Sequence, residues 1–156
     1  MHKDTPSAFN TANDALDFAI QGEQESHDFY MGLAAKVTQP GIKKVFEGFA
    51  REEAGHKARL EKVKEGNLLV SAEKKVLDLK VSDYLVDVTP SPDMDYQEAL
   101  IVAMKKEKAA YKLYLALSEA VDDENVSNTF LGLANEEAKH KLRFEIIYDD
   151  QVLTEN

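Results

Sequence analysis

The chain carries one pattern of chemically active side chains twice, at a constant offset of 84 residues. Glu23, Tyr30, Glu53 and His56 recur as Glu107, Tyr114, Glu137 and His140. The later part of each copy is also alike as text, because VFEGFAREEAGHKARLE (Val45–Glu61) aligns without a gap to TFLGLANEEAKHKLRFE (Thr129–Glu145). Two copies of a glutamate plus Glu-x-x-His make six metal-ligating side chains. A four-helix bundle uses that set to hold two transition-metal ions between its helices.

Each of these residues falls on an apolar stripe of helical period. In the first segment the stripe runs Leu16, Ala19, Glu23, Ser26, Tyr30, Leu33, and in the second Phe46, Phe49, Glu53, His56, Leu60, Val63. The third gives Leu100, Ala103, Glu107, Ala110, Tyr114, Leu117, and the fourth Phe130, Leu133, Glu137, His140, Phe144, Ile147. In a chain that is 31% charged most glutamates solvate helix faces, and Glu25, Glu47, Glu61, Glu65, Glu98, Glu119 and Glu145 fit that description. Glu23, Glu53, Glu107 and Glu137 do not. An ionised carboxylate in an apolar seam costs several kcal/mol unless it is paired or bound to metal. Four of them on four core stripes therefore require cations.

The periodic segments predict an all-α chain, one domain over 1–156, with helices at about 10–37, 41–65, 95–121 and 125–149. Asn10 or Asn13 is expected to cap the first helix; Thr38-Gln39-Pro40-Gly41 breaks it, and Pro40 is tolerable where the second begins. Gly66-Asn67 marks a helix end, Pro90-Ser91-Pro92-Asp93 followed by Asp95 leads into the third helix, and Asp122-Asp123-Glu124-Asn125 turns it into the fourth. Residues 67–94 form a long connection between the two hairpins. Helices of about 25 residues are about 38 Å long, and a linker of this length reaches roughly twice as far when extended. It can cross the whole bundle, which favours a ferritin-like four-helix bundle with parallel second and third helices over a simple up-down-up-down arrangement. Within the crossover Val76, Leu77, Leu79, Val81, Tyr84, Leu85 and Val88 are available to pack on the bundle, and Ser82 is expected to cap a short helix.

At 156 residues the chain can bury a sizeable core without staples, and it has no cysteine. That excludes thiolate zinc, iron–sulfur and rubredoxin-type centres and a cysteine nucleophile within this polypeptide. Any metal must be held by oxygen and nitrogen. The first ten residues show no secretory signal, and no stretch approaches about 18 uninterrupted apolar residues, so a cytoplasmic protein is expected. The formal charge of −10 argues against nucleic acid and anionic membrane surfaces as partners.

Residues three apart lie on one helix face, so Glu53 and His56 can address one ion, as can Glu137 and His140. Glu23 and Glu107, from the other two helices, can bridge or cap the pair. Imidazole with carboxylate suits iron, manganese or zinc and disfavours magnesium or calcium. Four carboxylates against two divalent cations make a neutral cluster.

The pattern E-x6-Y followed by E-x-x-H, present twice over nearly the whole chain, resembles the rubrerythrin branch of the ferritin-like di-iron carboxylate proteins. The resemblance implies two iron ions cycling between Fe2+ and Fe3+, reaction with hydrogen peroxide or oxygen, an oxidative-stress role, and a homodimer. It implies Glu23, Glu53, Glu107 and Glu137 as carboxylate ligands, His56 and His140 as histidine ligands, and Tyr30 and Tyr114 as tyrosines acting beside them. A bland alternative for the tyrosines is a core position with a satisfied hydroxyl. Typical members carry a further glutamate where this chain has Ala110, and a cysteine-ligated domain that delivers electrons. The expected function is thus an oxidoreductase fed by a separate electron donor; the alternative is an iron-binding, storage or sensing protein without efficient turnover.

The remaining titratable residues read more simply. His27, whose counterpart is Tyr111, is expected to be a partly exposed helix histidine, and His2 belongs to the terminus. Glu52 and Glu136 precede ligands and turn about 100° away from them, which leaves surface and supporting roles both open. Met94 and Met104 are core fillers. Lys105-Lys106-Glu107-Lys108 lacks interleaved aromatics and reads as solvated face rather than a nucleic-acid patch.

Overall fold

In the computed structural model, which describes residues 7–86, 91 and 93–155 and the last four of these by backbone alone, four long helices form the body. They are α1 (Ala12–Lys36), α2 (Pro40–Glu65), α4 (Tyr96–Ala120) and α5 (Glu124–Glu155), with a single-turn α3 (Glu73–Val76) in the crossover. α1 packs on α2 and α4 on α5, while α1 meets α4 and α2 meets α5 more sparsely. Tyr30 reaches Glu107 and Tyr114 reaches Glu23 across the bundle, so α1 and α4 run antiparallel. Since α2 turns back along α1 after a three-residue connection, α2 and α4 run parallel. This is the ferritin-like arrangement that the long crossover predicts.

The apolar stripes meet as two layers. One gathers Leu16, Leu60, Leu117, Phe130 and Leu133 with the crossover residues Leu69, Val76, Val81 and Tyr84. The other gathers Tyr30, Leu33, Phe46, Leu100 and Phe144. Buried Glu and His lie between them. Among the described residues no helix is long and apolar enough to cross a membrane.

The helix ends fall close to where the sequence puts them, with differences at the caps. Thr11, not Asn10 or Asn13, caps α1, its Oγ1 accepting from the Asp14 N–H at 3.0 Å. The backbone before α1 is extended at Thr11, which aims that hydroxyl along the helix axis. At the end of α2 Gly66 keeps a negative φ and Asn67 takes the left-handed turn at φ 52°; Leu68 N–H then bonds Val63 O and Asn67 N–H bonds Lys64 O, a Schellman closure. Asp95 caps α4 by accepting from the Glu98 N–H, and Asp123 accepts from the Val126 N–H at the start of α5. α5 continues to Glu155 rather than ending near 149, because no glycine or proline follows to break it. Ser82 caps nothing: it sits inside the 3-10 turn Val81–Tyr84, which starts after Lys80 without a side-chain cap. His2, Val88, Pro90 and Pro92 lie outside the described residues.

The crossover is tied to the bundle by a polar bond as well as by apolar packing. Glu73 Oε2 accepts from the Ala12 N–H at 2.8 Å, so a residue from α3 satisfies an orphan donor in the first turn of α1 and places a negative charge at its positive end. Glu73→Ala is therefore expected to cost about 1 kcal/mol in urea unfolding, with Glu73→Gln recovering most of the loss because it keeps the acceptor. A neutral Glu73→Ala would show that this contact contributes nothing.

Candidate metal centre

Each helix delivers its side chains to the middle layer by simple spacing. Glu23 and Tyr30 lie two turns apart on α1, Glu107 and Tyr114 likewise on α4, while Glu53 with His56 and Glu137 with His140 are i,i+3 pairs on α2 and α5. All six carboxylates and histidines are buried, none more than 3% exposed. Their donor atoms form two groups, Glu23–Glu53–His56–Glu137 and Glu53–Glu107–Glu137–His140, and within each group the atoms lie within 4.8 Å of one another. Glu53 and Glu137 belong to both groups. Glu23 and Glu107 therefore stand at the two ends, which settles which carboxylates are positioned to be shared.

The histidines face inward through Nδ1. His56 Nδ1 lies 3.0 Å from Glu137 Oε1 and 3.5 Å from Glu23 Oε2, and His140 Nδ1 lies 3.2 Å from Glu53 Oε1 and 3.5 Å from Glu107 Oε1. The two rings are nearly parallel, with centroids 6.1 Å apart. Their outer nitrogens meet the acids whose role the sequence left open: His140 Nε2 is 2.8 Å from Glu52 Oε2 and His56 Nε2 is 3.4 Å from Glu136 Oε2. Arg59 holds Glu136 at 2.8 Å. Such outer partners orient a ligating imidazole and raise its basicity. Each directly precedes a buried glutamate of its own copy and meets the histidine of the other. His27, by contrast, points away and meets its neighbour Asp28 at 3.0 Å.

Tyr30 donates to Glu107 Oε1 and Tyr114 donates to Glu23 Oε1. Both tyrosines are almost fully buried, so they are core residues whose hydroxyls are spent on the end carboxylates. Burial, then the neighbouring Glu107, pushes the Tyr30 hydroxyl well above its ordinary range, and burial with Glu23 does the same for Tyr114. They remain proton donors at any physiological pH.

The other oxygens have no such partners. Glu23 Oε2, both oxygens of Glu53, Glu107 Oε2, Glu137 Oε1, both ring nitrogens of His56 and His140 Nδ1 are buried without a hydrogen bond among the described residues. A close approach such as His56 to Glu137 lacks the alignment of a hydrogen bond. Orphaned buried polar atoms are rare, and here they converge from four helices with the donor chemistry of a two-cation site. Two divalent cations balance four carboxylates, so the residues present fit the group.

Electrostatics reinforce the point. Burial, then the charges of Glu107, Glu137 and Glu23, pushes Glu53 well above the ordinary carboxylate range, and Glu137 is pushed the same way by burial, Glu107 and Glu23. Burial also raises Glu107, against the pull of His140 and Tyr30. Burial opposes charge on the histidines, yet Glu23, Glu53 and Glu136 carry His56 up to about 9, and Glu107 and Glu53 carry His140 up to about 10. Protons and metal cations thus compete for the same positions.

One face of the bundle opens onto the cluster. Between α1 and α4 lies a cleft of about 880 Å³ whose lining includes Phe18, Phe29, Lys106, Ala110 and Leu113, and which reaches Glu23, Tyr114 and Glu137. Lys106 sits 5.7 Å from the Phe29 ring centre, and burial lowers its pKa.

Architecture and cluster together define a ferritin-like bundle with a buried carboxylate–histidine site. The rubrerythrin family model matches residues 14–83 and 98–156, and the chain belongs to that family. A hypothetical protein from Pyrococcus furiosus is 27% identical, with a TM-score of 0.69 over 86% of each chain. A putative ferritin-like diiron-carboxylate protein from Thermotoga maritima has a TM-score of 0.74 over 92% of this chain and 98% of its own, at 21% identity, a likeness of fold. No curated protein matches the chain.

The pKa shifts fix the sign of a pH effect on the protein treated with chelator. His56 and His140 are raised from an ordinary 6.5 to about 9 and about 10, so their stabilisation is full below pH 6.5 and is lost as pH rises through those values. The raised Glu53 and Glu137 act in the same direction, because the folded chain binds protons that the unfolded chain has released. The melting temperature after chelation is expected to fall from near neutrality towards pH 10, with a much flatter profile in the metal-loaded protein. A chelated protein that becomes more stable over that interval would contradict the assigned electrostatics.

Proposed function

We propose that the chain is a non-haem di-iron oxidoreductase that reduces hydrogen peroxide or oxygen with electrons from a separate donor. The observation that carries this reading is the set of unpaired, buried ligand atoms on Glu23, Glu53, His56, Glu107, Glu137 and His140. Membership of the rubrerythrin family supports iron as the metal, although the donor set also accepts manganese or zinc. When bound, a ferrous pair supplies the two electrons that break an oxygen–oxygen bond, and with two protons peroxide becomes two waters.

The chain's own groups do the positioning. Glu23, Glu53, Glu107 and Glu137 would hold the two ions through carboxylate oxygens, with Glu53 and Glu137 common to both groups of donors, and His56 and His140 would each add an imidazole nitrogen. Tyr114 and Tyr30 occupy Oε1 of the end carboxylates, which leaves their Oε2 atoms free to turn inward and keeps a hydroxyl proton beside the reacting centre. Glu52 holds the imidazole of His140 by its outer nitrogen, and Glu136 stands 3.4 Å from the outer nitrogen of His56. The α1–α4 cleft admits the oxidant beside Glu23 and Tyr114 while Phe18, Phe29 and Leu113 restrict water. A net charge of −10 fits a small neutral oxidant better than nucleic acid or an anionic membrane.

Ala110 favours a second reading, an iron-binding or sensing protein without efficient turnover. It lines the cleft where relatives carry a further carboxylate, so an iron pair that changes charge has no extra ligand to recruit there. Anaerobic loading with ferrous iron separates the two readings. About two ions per chain and sustained, reductant-dependent consumption of peroxide in stopped flow establish the oxidoreductase; one round of slow oxidation without turnover establishes the second reading.

Substitutions divide the roles. Glu53→Ala and His140→Ala are each expected to lose metal in elemental analysis while retaining most helical circular dichroism, since α2 and α5 keep their apolar stripes. Unchanged stoichiometry in both would remove the assignment. Ala110→Phe is expected to keep both ions yet slow oxidation several-fold, more for a bulky organic hydroperoxide than for hydrogen peroxide, because it narrows the cleft that Ala110 lines and replaces none of the six candidate ligands.

A further inference from the structure

The face opposite the cleft is built differently. Between α2 and α5 an open groove of about 710 Å³ is lined by four cations, Lys44, Arg51, Lys139 and Arg143, around Phe49 and His140, with a single acid, Glu52, held at 2.8 Å by His140 Nε2. The four cations are exposed, on a chain whose net charge is −10. Cations outside the groove, among them Arg59, Lys64, Lys75 and Lys141, form ion pairs. Phe49 stacks on the His140 ring, with centroids 4.2 Å apart at 27°.

The internal repeat supplies a control. Shifted by 84, Lys44 and Arg51 correspond to Asn128 and Asn135, while Lys139 and Arg143 correspond to Gly55 and Arg59. Arg59 is already paired with Glu136. A need to balance the buried carboxylates would place cations equally at both ends, since the two groups of ligands are equivalent. The groove end gathers four exposed cations where the other copy has only Arg59, itself paired, so charge balance within the bundle does not account for the patch.

We infer that the α2–α5 groove is the docking surface for a small acidic electron-carrier protein, which Lys44, Arg51, Lys139 and Arg143 draw onto Phe49 directly over His140. This rests on the oxidoreductase reading. An acidic carrier is repelled by the rest of the surface, and a local basic patch both orients it and raises its rate of encounter. Lys44 and Arg51 stand two turns apart, about 10 Å along α2, which suits a spread of carboxylates better than a single small anion. An apolar centre with a charged rim is also the form of small, transient electron-transfer interfaces. A redox centre seated there lies one aromatic contact from His140. Each reduced carrier gives one electron and leaves oxidised; two such deliveries with two protons complete the conversion of one peroxide to two waters.

The test uses three acidic one-electron carriers as probes, a rubredoxin, a ferredoxin and a flavodoxin, and two variants of equal charge change. K44Q/R51Q removes two positive charges at the groove, and N128D/N135D adds two negative charges at the equivalent positions of the other repeat. At low ionic strength K44Q/R51Q is expected to slow reduction of the oxidised iron-loaded protein by at least one carrier about tenfold, with N128D/N135D changing it less than about twofold and the difference vanishing in high salt. Binding of the carriers to zinc-loaded protein, followed by NMR shifts, reports docking without redox chemistry and should show the same ranking. Equal effects of the two pairs, or no binding by any carrier, would overturn the proposal. Binding at the groove to zinc-loaded protein, with no electron delivery to the iron form, supports the docking surface and counts against the oxidoreductase reading.

Discussion

Four carboxylates share one buried layer, and most of the structure can be understood as a response to that crowding. Like charges in a low-dielectric seam cannot all ionise unaided. Protons or cations must enter with them. The raised pKa values of Glu53, Glu107 and Glu137 and of both histidines express the first solution; the unpaired oxygen and nitrogen atoms are shaped for the second. Apolar layers above and below the site make the choice strict, because they keep the four carboxylates almost wholly buried. The same layers give the bundle a core that does not depend on the site, which is why the helices can carry so unfavourable a layer at all.

Duplication turns this constraint into a symmetrical solution. Each hairpin contributes one end carboxylate, one shared carboxylate and one histidine, and the tyrosine of each hairpin serves the end carboxylate of the other. Neither hairpin has a complete set alone. Holding Glu23 through Tyr114, and Glu107 through Tyr30, locks α1 against α4 along a seam where these helices otherwise meet sparsely. The polar network thus fixes the pairing of the two hairpins, and the long crossover with Glu73 at the start of α1 fixes their relative direction.

Much of this was legible in the sequence because the informative residues report on periodicity. A glutamate that falls on an apolar stripe is visible without coordinates, and so is the length of a crossover. What stayed hidden depends on the path of the backbone just outside an element or on contacts between distant segments. Thr11 rather than Asn10 or Asn13 caps α1 because of the extended turn before it, and Asn67 rather than Gly66 takes the positive φ because the Schellman closure places the left-handed residue one position later. Glu52 and Glu136 could not be assigned from one helix, since the imidazoles they meet belong to the opposite hairpin. For the same reason the sequence allowed Glu23 and Glu107 either to bridge or to cap, and only the four-helix geometry gives the shared positions to Glu53 and Glu137.

The departures from internal symmetry distinguish the two faces of the bundle. The buried glutamates and histidines repeat faithfully, but the α1–α4 face carries a cleft reaching Glu23 and Tyr114, whereas on the opposite face Phe49 stacks on His140 and cations rim the groove. On the proposed reading oxidant and electrons then arrive from opposite sides. Such separation has a chemical rationale: a reduced carrier that met peroxide in a common cavity could be oxidised directly, without passing its electron through the bundle. Placing an aromatic and an imidazole between carrier and site lets electrons through while excluding the carrier's own bulk and the oxidant. Selection on a duplicated hairpin can reach this state by changing surface residues alone, as Lys44 against Asn128 and Arg51 against Asn135 illustrate, because none of these positions contributes a ligand to the buried layer.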